Sequence, residues 1–304
     1  MEETADLGNF EGKYLKEIVL SALENGRGNL SGVVVYSGLQ REPSANIVEF
    51  SEDGAGNKVL VHLSDEKLRH RRGIYSSFSI VFRNYFDPRL SFRRNVFQLP
   101  LGWTFSFSGS EPTLRSSQHL WSFCGAVKTD RRIMLDSFAP LDGGFVHIAS
   151  GWDSHDQLAP AEMRKIYESS TFVLCPQGNA HVDSFRVMEA LQSGSVPVTV
   201  KFLGKDFFRY TFGDHPFIVA NDWGHAAELV AEFRDKPDEA RVLREKVATW
   251  YRGYVGDLSW DIAAIGRGER RRGLKSAFFQ IQRNAAFDIP LQARVSLRFR
   301  KYRK

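Results

Sequence analysis

Cysteine is nearly absent. Two residues in 304, Cys124 and Cys175, exclude a disulfide framework and any multi-cysteine zinc module. Long apolar runs are missing as well: nothing approaches the roughly 18–20 uninterrupted apolar residues of a membrane span. The acidic opening Met1-Glu2-Glu3-Thr4-Ala5-Asp6 lacks the basic and apolar regions of a signal peptide, so the expected location is cytoplasmic. Asp-x-Asp occurs nowhere and the eight histidines fall at no metal-binding spacing; no metal and no other cofactor is expected. What is present is ordinary globular material. Apolar residues make up 42% and charged residues 25%, enough to bury real cores over about two domain-lengths.

The net charge of +5 hides an asymmetry. Residues 267–304 hold 12 Lys and Arg against Glu269 and Asp288, whereas the rest of the chain is mildly acidic. A basic end of this kind reads either as a solvated tail or as a surface for phosphates. The interleaved Phe278, Phe279 and Ile281 favour peripheral contact with the inner, anionic face of a membrane if they lie on it. They favour no such contact if they pack on the body. No RNA-recognition signature or helix-turn-helix pattern is found, so nucleic acid is not the expected partner.

Short apolar runs, each closed by polar or glycine punctuation, alternate with helical stretches. Val33–Tyr36, Val59–Leu63, Ser79–Phe82 and Val96–Leu99 read as buried strands, and Phe10–Leu23 has helical spacing. A second series has strands at Ser122–Ala126, Phe145–Ile148, Thr171–Cys175, Val196–Val200 and Phe217–Val219. Helices are expected over Arg131–Phe138, Pro160–Ser169, 224–234 and 238–253. The alternation predicts an α/β, doubly wound architecture. The turn-rich stretch Ser106–Pro112 is the candidate boundary. The expected organisation is 1–115 and 116–262 as two Rossmann-like domains facing across a cleft, followed by a basic segment 263–304 that packs back in part. A ligand is then expected between the C-terminal ends of the strands.

Thr171–Val200 carries the most chemistry. A strand runs into Pro176-Gln177-Gly178-Asn179-Ala180-His181-Val182, then a helix predicted over Ser184–Ser193, with Asp183 or Ser184 as cap and Gly194 as terminator. A helix N-terminus behind a Pro-Gly loop offers free N–H groups and a dipole to a phosphate, with Ser184 and Arg186 as further donors. One turn on, the two oxygens of Glu189 suit the vicinal hydroxyls of a ribose. On spacing alone, Arg186 and Glu189 also read as a helix ion pair. His181 is the one histidine placed in this loop.

The order Phe172-Val173-Leu174-Cys175-Pro176-Gln177-Gly178, Asp183-Ser184-Phe185-Arg186-Val187-Met188-Glu189-Ala190-Leu191 and Gly194-Ser195-Val196-Pro197-Val198 resembles the donor-binding region of exostosin-type glycosyltransferases. It is closest to ribitol-phosphate xylosyltransferase-like proteins. The resemblance covers about 50 residues. It implies a GT-B fold and an inverting hexosyl- or pentosyltransferase using a nucleotide-sugar, with UDP as the expected nucleotide. It also implies Ser184 and Arg186 at the donor diphosphate, Glu189 on the ribose, and Gly178 allowing close approach of the loop. Gln177 departs from the pattern, because exostosins commonly have arginine there; if that arginine serves the diphosphate, another cation must substitute.

In the N-terminal half, His62-Leu63-Ser64-Asp65-Glu66 ends a strand. Asp65 and Glu66 are the candidates for the general base that inverting transfer needs, or else caps of a following helix. Arg83, after the next strand, is a candidate donor-site cation or a loop arginine paired with a carboxylate. Trp103 is a candidate platform for a sugar. The acceptor is expected to be a saccharide, a polyol-phosphate or a lipid-linked glycan. Two other functions remain open at this stage: a non-catalytic protein docking through the basic tail, and a nucleotide-sugar epimerase or hydrolase on the same fold.

Overall fold

The computed structural model describes residues 12–26, 28, 30–37, 46–49, 56–68, 72–87, 90, 93–104, 107, 112, 114–151 and 154–269. They form two Rossmann-like α/β halves. The first sheet holds β1 (Leu30–Ser37), β2 (Asn46–Glu49), β3 (Asn57–Leu63), β4 (Ile80–Arg83) and β5 (Val96–Gln98) in the order β2-β1-β3-β4-β5, with β2 alone antiparallel. The second holds β6 (His119–Ala126), β7 (Gly144–Ala149), β8 (Ser170–Leu174), β9 (Val196–Val200) and β10 (Ile218–Ala220) in the order β10-β9-β8-β6-β7, parallel throughout.

Parallel sheets need both faces covered, and the strands divide their side chains accordingly. Val33, Val35, Val59, Val61, Phe82 and Phe97 enter the main core, which continues into the second half. Val34, Leu60, Val81 and Val96 point the other way and pack with Tyr75 and Leu90. The expected helix near the start is present as α1 (Gly12–Tyr14), a π-helical stretch Leu15–Leu20 and α2 (Ser21–Asn25), burying Leu15, Val19, Ala22 and Leu23. β2 is a strand that the alternation did not reveal; its four residues carry only Ile47 and Val48 as apolar signal.

In the second half α3 (Thr129–Phe138) joins β6 to β7, α4 (Pro160–Glu168) leads to β8, α5 (Phe185–Gln192) to β9, and α6 (Arg209–Phe212) to β10. α7 (Trp223–Ala231) and α8 (Pro237–Gly266) follow. α8 has 30 residues and runs well past the predicted end at 253. Gly253 and Gly256 lie within it, and each costs up to about 1 kcal/mol relative to alanine. Buried Tyr251, Tyr254, Leu258, Ile262 and Ile265 offset that cost and carry the helix on. Its end meets the first half: a Cβ on Gly26 would lie 2.2 Å from the Ala263 carbonyl oxygen, so only glycine lets the backbones approach. Arg244 ties α8 down, donating from Nε to Gly194 O (2.9 Å), from Nη1 to Arg115 O (2.7 Å) and from Nη2 to Glu168 O (2.9 Å).

Two described residues of the connection between the sheets pack against the body. Phe107, inside the candidate boundary stretch, is buried. Trp103 is buried too, edge-on to Tyr14 with ring centroids 5.1 Å apart. It is a core residue and offers no face to a sugar, which corrects the platform reading. The basic segment from 270 onward lies outside the described residues. No helix among the described residues is long and apolar enough to cross a membrane.

Candidate functional site

Strand order places the site. From β6 the chain moves outward to β7, returns past β6 to β8, then proceeds the other way to β9 and β10. The connections leaving β6 and β8 diverge there, and open α/β sheets bind ligands at such a switch point, beyond the carboxyl ends of the strands. In the first sheet β1, β3, β4 and β5 follow one another in a single direction, with no reversal among the parallel strands. The loops after β6 and β8 are therefore where a ligand belongs, and Thr171–Val200 supplies the second of them.

α5 begins one residue later and ends one residue earlier than predicted, with Gly194 at φ +69° just beyond it, as expected of its terminator. Ser184 occupies the N-cap position, yet its hydroxyl makes no capping bond. Its Oγ is buried with no hydrogen-bond partner. Asp183 Oδ1 instead accepts from Ser184 N (2.9 Å). An orphaned hydroxyl at a helix N-terminus, where free N–H groups and the dipole favour an anion, is unfavourable until an acceptor reaches it.

Arg186 lies over the end of β6. Its Nε donates to Cys124 O (3.0 Å) and its guanidinium carbon sits 5.3 Å from the Phe123 ring centroid. Gly125, at φ +144°, makes room: a Cβ there would lie 2.1 Å from Arg186 Nη2. The expected Arg186–Glu189 helix pair is not formed as an ion pair. Glu189 is 3% exposed and its Oε1 accepts from the Thr104 hydroxyl (2.6 Å), across from the segment joining the sheets. Burial raises its pKa, against the effects of Thr104 and Arg186.

The loop before α5 is fastened to the first half. Glu66 Oε1 accepts from Ala180 N (2.8 Å), and His181 Nε2 donates to Phe86 O (3.0 Å) while its Nδ1 accepts from Asp183 N (3.1 Å). Gly178 is needed here, since a Cβ would lie 2.7 Å from Asp183 O and 2.9 Å from Glu66 Oε1. Asp65 and Arg83, by contrast, are bound to one another: Oδ2 and Nη2 are 3.4 Å apart and both side chains are almost fully buried. Arg83 also donates to Tyr75 Oη (3.0 Å), which is 2.6 Å from His62 Nδ1. Of the N-terminal candidates, Glu66 is hydrogen-bonded directly to the β8–α5 loop. Arg83 is paired with Asp65 in the first half, and its charge helps lower the pKa of His181 in the β8–α5 loop. Left-handed backbone at Ser64 (φ 62°) and Tyr85 (φ 56°) turns the chain sharply after β3 and β4, at about 1–2 kcal/mol each. Ser64 N donates to Asn84 Oδ1 (3.0 Å) and holds the two turns together.

No protein-family model matches the chain, and no curated protein matches it. Among solved structures it is similar to an α1,3-fucosyltransferase, at 12% identity over 83% of this chain and 89% of that one, with a TM-score of 0.41. It is similar also to a DNA-modifying β-glucosyltransferase determined in the presence and absence of uridine diphosphoglucose (12%, 70% and 82%, 0.41). A third is an α1,3-fucosyltransferase with GDP (11%, 84% and 93%, 0.39). These likenesses are distant. The exostosin-type resemblance is carried by the motif alone.

Two residues that the sequence did not single out reach the same loops. Arg131, in the first turn of α3, donates from Nη1 to Ala126 O (2.7 Å) and from Nη2 to Gln177 O (3.0 Å). Lys128, just before α3, donates through Nζ to Asn179 Oδ1. The available signal was electrostatic: Lys128, Arg131 and Arg132 crowd a helix start, where the dipole favours acids.

The buried His181–Asp183 pair gives the loop a testable pH signature. Burial pushes Asp183 up to about 7 and His181 down to about 4. Unfolded values lie near 3.9 and 6.5. Asp183 thus contributes stability that is lost as pH rises from about 4 through 7, whereas the His181 contribution is lost as pH falls from about 6.5 toward 4. The two oppose each other over most of that window. Asp183→Asn removes one side, so its stability relative to wild type should grow by roughly 3 kcal/mol between pH 4 and 7.5. Urea unfolding at four pH values measures this; parallel curves for the two proteins would contradict it.

Proposed function

We propose that the chain is a glycosyltransferase of the two-domain GT-B type, moving a sugar from a nucleotide donor, UDP-linked, to a hydroxyl of a saccharide, polyol-phosphate or lipid-linked glycan with inversion. Residues 1–115 form the acceptor side and 116–262 the donor side. The observation that carries the reading is the buried, unpartnered Ser184 hydroxyl at the start of α5, beside Arg186 and one turn before Glu189, at the switch point of the second sheet. The α5 N-terminus, Ser184 and Arg186 hold the donor diphosphate. Glu189 accepts the ribose hydroxyls in exchange for that of Thr104.

Transfer then needs a base on the acceptor side, and Glu66 is the carboxylate that spans the two halves. The acceptor oxygen bonds to the anomeric carbon as the bond from that carbon to the diphosphate oxygen breaks. The acceptor proton passes to Glu66, and the negative charge on the leaving diphosphate is met by Arg186, Ser184 and the helix N-terminus. Donors fixed before reaction lower the barrier because they need no reorganisation as charge develops.

The ribose assignment is tested with Glu189→Ala and three probes: UDP, GDP and inorganic pyrophosphate. The variant should lose nucleoside-diphosphate binding by at least tenfold while retaining its fold and any affinity for pyrophosphate, read by calorimetry and circular dichroism. Unchanged nucleotide affinity would remove Glu189 from the donor site.

A further inference from the structure

Resting on that reading, we propose that Arg131 is the second cation of the diphosphate site, filling from α3 the role that Gln177 leaves without charge. Arg131 spans the switch point, with one terminal nitrogen on the end of β6 and the other on the backbone of Gln177 itself. It is 5% exposed and its Nε is buried with no partner. Arg244 shows what a purely structural buried arginine looks like in this fold, since its Nε and both terminal nitrogens all donate. The spare Nε of Arg131, in the first turn of α3, and the spare Oγ of Ser184, at the start of α5, lie on the two connections that a ligand at the switch point would bridge.

The charge balance points the same way. Neither Arg131 nor Arg186 forms an ion pair among the described residues, and the two repel: burial, then Arg186, draw the Arg131 pKa down to about 10, partly countered by Asp130 and Glu66. The Arg131 guanidinium stays charged at neutral pH. Two neighbouring cations, Arg131 buried and Arg186 half-buried, without a paired carboxylate among the described residues are unfavourable, and the basic start of α3 adds an adverse dipole. A ligand with two adjacent anionic groups relieves all three conflicts, and a diphosphate matches it, one phosphoryl group to each guanidinium.

The test uses the full chain with Arg131→Met and Arg131→Lys, titrated in EDTA with UDP and GDP, and with uridine and guanosine by competition. Arg131→Met should weaken the nucleoside diphosphate 10- to 100-fold and leave the nucleoside unchanged; Arg131→Lys should restore part of the loss. The salt dependence of diphosphate binding should be shallower in the methionine variant than in wild type. If diphosphate and nucleoside weaken together, or neither weakens, Arg131 is only a strut between the loops and the inference is overturned. Should Arg131→Met fail to fold, the lysine variant decides, because it must weaken the diphosphate more than the nucleoside. A wild type that binds no nucleoside diphosphate would sink the proposed function as well; wild-type binding with unaffected variants would sink this inference alone.

Discussion

Replacing Arg186 by methionine is expected to weaken nucleoside-diphosphate binding about 100-fold with little loss of stability. The side chain is pinned before any ligand arrives: by Cys124 O at Nε, by the Phe123 ring beneath the guanidinium, and by the space that Gly125 leaves. Little rotamer entropy remains to be lost on binding, so most of each charge-assisted hydrogen bond appears as affinity. At about 1.5–3 kcal/mol for such bonds, the loss is on the order of 10- to 150-fold, and partial burial favours the upper end. Stability should change little. The bond to Cys124 O is worth about 1 kcal/mol, and relief of repulsion with Arg131 offsets part of it. A loss below threefold, measured by calorimetry, would mean that Arg186 faces no anion.

The second large effect concerns chemistry. Glu66→Gln keeps an oxygen for Ala180 N, and with it the tether between the halves. It removes the ability to take a proton, together with one negative charge near Arg131. Turnover should fall by about 10²- to 10⁴-fold, the usual worth of a general base, while nucleotide affinity stays within a few-fold. Asp65→Asn should behave in the opposite way. It removes a charge partner of buried Arg83, and breaking a buried ion pair typically costs about 3 kcal/mol or more in stability before any effect on transfer. If Asp65→Asn abolishes turnover in a fully stable protein and Glu66→Gln does not, the base has been assigned to the wrong neighbour.

The contrast between these two carboxylates shows what the sequence can reveal and what it cannot. Val59–Leu63 announces a strand by apolar composition and its end by Ser64, so the arrival of Asp65 and Glu66 at a strand terminus was legible. Which of them is spent on Arg83, 18 residues away, depends on β3 and β4 lying side by side, a long-range pairing that no local pattern encodes. α5 was legible almost to the residue because its start and its Gly194 end are both local signals. The Thr104–Glu189 bond joins residues 85 apart and was not. Trp103 misled for the same reason: an aromatic after a strand reads as a platform until Tyr14, far away in sequence, is found against it. Arg131 left a trace in the basic helix start, a local rule broken at a site where function can demand it.

The most direct measurement is calorimetric titration of the full chain with UDP, GDP, ADP and CMP in EDTA. The expected result is selective binding of UDP, lost in Arg186→Met and in Glu189→Ala. Selective binding of another nucleoside diphosphate would keep the site and change the donor. No binding of any of the four would contradict the claim that the switch point between β6 and β8 holds a nucleotide.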